Sequence, residues 1–135
     1  MSIERIGLIG LGLMGRSIAA CLLSRGFCVT AYNKDQQKYD EARPHIEGEL
    51  RELVERAQFP ASILDNWQER IVMAQSIEQL SDCPFVIESI FENVQAKQQL
   101  FDELEKVIAP KVPVGSNTSA IPISIIQKPR THPQR

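Results

Sequence analysis

The sequence is short of charge of one sign, of histidine and of long apolar runs. Its net charge is only −2, which leaves no electrostatic footprint for nucleic acid or an anionic membrane surface, so neither is an expected partner. No apolar stretch approaches the roughly 18 residues that a membrane-spanning helix needs. The opening "MSIERIGLIG" runs straight into what reads as a strand, without a charged segment followed by a removable apolar one. Cysteine is scarce: Cys21, Cys28 and Cys83 are odd in number and lack metal-ligand spacing, so no metal is expected. Cys21 and Cys28 fall in apolar surroundings and read as buried thiols in a reducing compartment, which makes the cytoplasm the expected location. The hydrophobic share of 43% in 135 residues is enough to bury the core of one domain, taken as 1–135.

The chain alternates between two periods. "RIGLIG" (5–10) is a nearly continuous apolar run ending in glycine, as expected of a buried parallel strand. From Leu13 to Arg25 the positions Met14, Ile18, Cys21 and Leu22 recur at helical spacing, and Gly26 stands where a C-terminal cap belongs. "FCVTAY" (27–32) follows as a second strand, completing a βαβ unit. Residues 36–70 read as a helical insertion. Tyr39, Ala42, Ile46, Leu50, Leu53 and Ala57 form one face of a first helix, interrupted at Pro44 and Gly48, where a kink or a restart is expected. A second helix after Pro60 carries Ile63, Leu64 and Trp67. "RIVMA", "PFVIESI" and "KVPVGS" supply further strands, with a helix over Val94–Ile108 between the last two. Strands alternating with helices predict an α/β fold, a Rossmann-type doubly wound parallel sheet.

Three constellations carry chemistry. Gly10, Gly12 and Gly15 spell G-x-G-x-x-G after a strand and at the opening of a helix. There the first glycine permits a tight turn, the second lets a pyrophosphate approach the backbone, and the third lets helix and strand pack closely. Leu13 and Met14 lie in the same turn, within the expected cofactor-binding stretch. About 20 positions on, where an acidic residue takes the ribose hydroxyl of NAD, the sequence has Asn33 followed by Lys34. NAD is the expected cofactor and NADP the alternative, because asparagine does not repel a 2′-phosphate and Lys34 attracts one. In "VIESIFENVQAK" (86–97), Glu88 lies inside an apolar strand, costly for a carboxylate without a partner. Glu92, Asn93 and Lys97 follow at the strand end, either facing a ligand or serving as a helix cap with solvated neighbours. "SNTS" (116–119) ends another strand on the same sheet edge, with Asn117 and Ser119 as candidate catalytic residues. It reads equally as a turn capping a helix that begins near Ile121.

Two families share the pattern of "IGLIGLGLMGRSIAACLLSRGFCVTAYN" (6–33): the L-3-hydroxyacyl-CoA dehydrogenases and the β-hydroxyacid dehydrogenases of the 3-hydroxyisobutyrate type. "VIESIFENVQAKQQLFDELEKVIAP" followed by "SNTSAIPIS" resembles only the first. That resemblance implies hydride transfer between C3 of a 3-hydroxyacyl-CoA and NAD. It also implies that Gly10, Gly12 and Gly15 hold the pyrophosphate, that Asn33 stands at the ribose, and that Glu92 and Lys97 contact the nicotinamide half. Asn117 and Ser119 would line the catalytic cleft, Ser119 hydrogen-bonding the 3-oxygen of the substrate. The helical insertion would lie beside the CoA, with Arg56 a candidate contact.

The resemblance carries departures as well. Asn33 replaces the usual aspartate, and Pro44 interrupts the insertion helix. The family's general-base histidine lies just after a stretch like "THPQR" (131–135), and neither His45 nor His132 matches it. The domain is therefore expected to be incomplete at its C-terminal end, with the helical C-terminal domain absent, and residues 1–135 alone are expected to be inactive. The open sheet edge makes a homo-oligomer the expected state. A non-catalytic NAD(P)-binding module, a structural protein of the crystallin kind, and a relative acting on a non-CoA hydroxy acid remain the alternatives.

Overall fold

The computed structural model describes residues 4–135. Five parallel strands form one sheet: β1 (Arg5–Ile9), β2 (Cys28–Tyr32), β3 (Ile71–Ala74), β4 (Val86–Glu88) and β5 (Val114–Ser116), in the order β3-β2-β1-β4-β5. Four α-helices connect or follow them: α1 (Leu13–Ser24), α2 (Lys38–Ala57), α3 (Val94–Val107) and α4 (Ile123–Gln127). Short strands of apolar residues with parallel neighbours need cover on both faces, and two clusters provide it. Leu8, Val29 and Ala31 meet α1 and α2 on one face, while Ile9 and Val86 meet Leu104 and Ile108 on the other. The strand order reverses between β1 and β4, so the chain has a switch point where ligands bind in such sheets. Register aligns the strand ends there in one row: Tyr32 beside Ile9, Ile9 beside Glu88, and Glu88 beside Ser116.

The α/β expectation holds, but several local expectations do not. Helix α1 buries Gly15, Ala19, Ala20 and Leu23 rather than the predicted stripe. Ile18 and Leu22 pack only partly against the core, and Met14 and Cys21 are exposed. The cause is steric: a helix held this close to the sheet needs small side chains beneath it, which hydrophobic periodicity overlooks. Cys28 is half-buried and Cys83 alone is fully buried, where desolvation raises its thiol pKa.

Helix α2 runs unbroken through Pro44 and Gly48. Both lie on its exposed outer face, where the carbonyl orphaned by proline is free to face water. Its predicted inner face is real: Tyr39, Ala42, Ile46 and Leu50 are buried in the same core as Leu8. The second insertion helix is instead two single 3₁₀ turns, Ala61–Leu64 and Trp67–Arg70. Asn66, at φ 55°, separates them, so Ile63 and Trp67 reach the core without a continuous helix.

Candidate functional site

Beyond the C-terminal ends of β1, β2, β4 and β5 lies a cleft of about 780 Å³, a size suited to a small-molecule ligand. Its floor is the glycine turn. Gly10 has φ +98°, and a Cβ there would stand 2.4 Å from the Ser89 carbonyl oxygen. At Gly15 a Cβ would stand 1.9 Å from the Gly10 carbonyl oxygen, so the turn and α1 close on each other only without side chains. Gly12 differs, because a Cβ there would meet nothing within 4 Å. It is the N-cap of α1, with no side-chain cap and no acidic residue in the first turn. The helix thus presents uncapped N–H groups and the positive end of its dipole to open space, which fits the pyrophosphate of a dinucleotide. Leu13 and Met14 line this end, both exposed.

Asn33 lies at the next strand end. Its Oδ1 accepts the Leu11 N–H at 2.9 Å and its Nδ2 donates to the Asp35 carbonyl at 2.7 Å. The side chain therefore holds the glycine turn to β2 as well as lining the cleft. Lys34, Asp35 and Lys38 line the same end.

The opposite wall is built from β4, β5 and the loops that leave them. Glu88 is fully buried in β4, and its partner is Lys97 of α3, also fully buried, at 2.5 Å. The same carboxylate oxygen accepts the Ile90 N–H at 2.8 Å, and the other accepts the Ser116 hydroxyl. Lys97 Nζ further reaches the Ile90 carbonyl and Glu92, each at 3.4 Å. The expectation that Lys97 contacts a cofactor thus meets a different placement. Its ammonium is enclosed by protein groups, Glu88 nearest, and does not line the cleft.

Glu92 does line the cleft. Its Oε1 accepts the Thr118 hydroxyl, the Ser119 N–H at 3.1 Å and the Ala120 N–H at 3.2 Å, so it clamps the loop after β5. These donors, Thr118 first, together with Lys97 hold its carboxyl down at about 2. A depressed carboxylate contributes stability that is complete above its unfolded pKa and is lost as pH falls through the folded one. The melting-temperature difference between the natural chain and Glu92→Gln is expected to be constant at neutral pH and to shrink between about pH 4.5 and pH 2. A difference that does not change over that range would show that the clamp is not held by charge.

Asn117 donates its backbone N–H to the Glu88 carbonyl at 2.7 Å and its side-chain amide to Ser89 Oγ at 3.1 Å. Asn117 and Ser119 both line the cleft and are exposed. Asn93 is a helix cap, accepting the Ala96 N–H at 2.9 Å. Ser89, Phe91, Lys38 and Glu103 also line the cleft and were not singled out in the sequence. Only Ser89 had a signal, its position directly after the strand that carries Glu88. Neither histidine lines the cleft: His45 Nδ1 lies 2.7 Å from the Glu41 carbonyl on α2, and the His132 N–H donates to Glu105. Arg56 lines a separate groove along α2 together with Glu49 and Glu52, carboxylates that oppose binding of a phosphate there. Among the described residues, no cluster of three or more His, Cys, Asp or Glu is placed to hold a metal ion, and no helix is long and apolar enough to cross a membrane.

The fold has counterparts in known proteins. The family profile described as 3-hydroxyacyl-CoA dehydrogenase, NAD binding domain, matches residues 5–135. A probable 3-hydroxybutyryl-CoA dehydrogenase of Deinococcus radiodurans is 34% identical over 125 residues, covering 90% of this chain and 44% of that protein. The crystal structure of Mycobacterium tuberculosis FadB2 superposes with a TM-score of 0.91 at 29% identity, over 100% of this chain and 48% of that one. The 3-hydroxybutyryl-CoA dehydrogenase of Escherichia coli gives 0.89 at 28% identity, over 99% and 28% respectively. The chain thus spans half or less of the length of these relatives. Within that span the fold agrees, and the chain belongs to the 3-hydroxyacyl-CoA dehydrogenase family as its NAD-binding domain.

Proposed function

We propose that this chain is the dinucleotide-binding part of an enzyme that oxidises the C3 hydroxyl of a 3-hydroxyacyl-CoA. The observation that carries the reading is the single cleft that has the uncapped start of α1 on one side and the Asn117–Ser119 loop on the other. NAD supplies the hydride acceptor. Gly10, Gly12 and Gly15, with the N–H groups of Leu13 and Met14, hold its pyrophosphate, and Asn33 lies at the adenosine ribose. Glu92 and Asn117 line the nicotinamide side. Lys97 acts at one remove, fixing Glu92 and the 89–92 backbone in place. The Ser119 hydroxyl donates a hydrogen bond to the substrate's 3-oxygen and orients C3. Three free cysteines support a reducing cytoplasmic setting, and the edge position of β5 supports self-association.

General bases typically contribute about 10²–10⁴-fold, and neither histidine faces the cleft. The purified 135-residue chain is therefore expected to bind NADH in calorimetric titration, to sediment as an oligomer, and to show little or no turnover of 3-hydroxybutyryl-CoA. Absence of NADH binding would overturn the dinucleotide reading. Substantial turnover would overturn the assignment of roles.

A further inference from the structure

The ribose end of the cleft departs from what strict selection of NAD requires. Exclusion of a 2′-phosphate rests on a carboxylate at the end of the second strand, placed to accept from the ribose hydroxyl and to repel the phosphate. Here that position is Asn33, and both ends of its amide are engaged within the protein, Oδ1 by the Leu11 N–H and Nδ2 by the Asp35 carbonyl. No carboxylate stands at position 33 itself, and the nearest on the neighbouring wall is Glu103 of α3, which lines the cleft and acts electrostatically on Tyr32, the last residue of β2.

Beyond it, Lys34 is exposed on the cleft wall and has no ion-pair or hydrogen-bond partner among the described residues. Lys38 also lines the cleft and pairs with Glu41 at 2.9 Å. Arg16, whose Nε is buried without a partner, acts electrostatically on both members of that pair. Asp35 also lines this end, displaced into the turn, where its Oδ1 accepts the Gln37 N–H at 3.0 Å.

Resting on the dinucleotide reading above, we infer that this cleft also takes a cofactor bearing a 2′-phosphate on its adenosine ribose, with Lys34 as the residue that meets the phosphate. The neutral amide of Asn33 removes the repulsion at that position, and the unpaired ammonium of Lys34 supplies an attraction. Asp35 remains beside the ribose hydroxyls, so NAD is retained. The chain therefore discriminates weakly between NAD and NADP rather than exchanging one for the other.

The test is parallel titration of the chain with NADH and NADPH. The two dissociation constants are expected to lie within about tenfold of each other, since one exposed lysine offers attraction of modest size. A deficit for NADPH greater than that overturns the inference. Lys34→Glu, which alters an exposed side chain without a partner and so leaves folding alone, is expected to lower the NADPH-to-NADH affinity ratio by about tenfold or more. Asn33→Asp is expected to move the ratio the same way. An unchanged ratio in Lys34→Glu overturns the role of Lys34. Binding of NADH alone removes this inference and leaves the NAD site standing, whereas binding of neither removes both.

Discussion

Lys97→Met is expected to destabilise the chain by about 3–5 kcal/mol, the range for removing one member of a buried ion pair. The side chains of Lys97 and Glu88 are both fully buried, so the substitution leaves a carboxylate without a countercharge in the core. It keeps two neutral donors, the Ile90 N–H and the Ser116 hydroxyl, too few to compensate. Small domains hold only about 5–15 kcal/mol in total, and the loss should be plain in urea unfolding. The double variant Glu88→Leu/Lys97→Met removes the stranded charge and is expected to be more stable than Lys97→Met alone, a coupling that a double-mutant cycle measures directly. If the two substitutions simply add, the pair is not coupled and the account of Lys97 fails.

The pair matters for the site because of what it joins. Glu88 ends β4 and accepts from Ser116 at the end of β5, while Lys97 projects from α3 and reaches toward Glu92. Glu92 in turn holds Thr118, Ser119 and Ala120. One continuous polar network therefore runs from the interior to the loop that would face a substrate. A network of this kind, satisfied at each buried member, favours one arrangement of its strand ends over others. The exposed Ser119 hydroxyl is placed by it without belonging to it.

Much of this was readable in the sequence, and the misses have physical causes. The glycine turn was legible because its residues stand at the spacing that a strand-to-helix turn demands. Glu88 was legible as a charge needing a partner. That partner was not, because Lys97 lies nine residues away across a turn whose path the sequence leaves open, and its resemblance to a cofactor contact suggested a solvent-facing position. The same limit hid the Thr118–Glu92 clamp, a contact between segments 26 residues apart. Pro44 misled for a different reason. Proline is read as a breaker from local propensity, yet on the outer face of a helix whose inner face is anchored by Tyr39, Ala42, Ile46 and Leu50, packing outweighs one lost hydrogen bond. In α1 the error was of scale: Ala19 and Ala20 look ordinary in a hydrophobic stripe, and they are buried because they are small.

Gly12→Val separates a residue required by the fold from one required by a ligand. Gly12 has φ −70° and ψ −167°, a backbone conformation open to any residue, and nothing within 4 Å awaits a Cβ. The variant is expected to fold normally, with a stability change of no more than about 1 kcal/mol from the altered N-cap. Gly15→Ala, in contrast, would drive a Cβ to 1.9 Å from the Gly10 carbonyl oxygen and is expected to lower stability markedly. In titrations with NADH, Gly12→Val is expected to weaken binding by more than about tenfold, because its side chain occupies the space through which a pyrophosphate reaches the start of α1. Circular dichroism on the same samples confirms that the loss is not one of folding. Natural affinity in Gly12→Val would mean that the dinucleotide does not approach this turn, and the emptiness around Gly12 would then need another explanation. Loss of binding with the fold intact would give that emptiness its cause: a glycine kept where the protein itself does not need one.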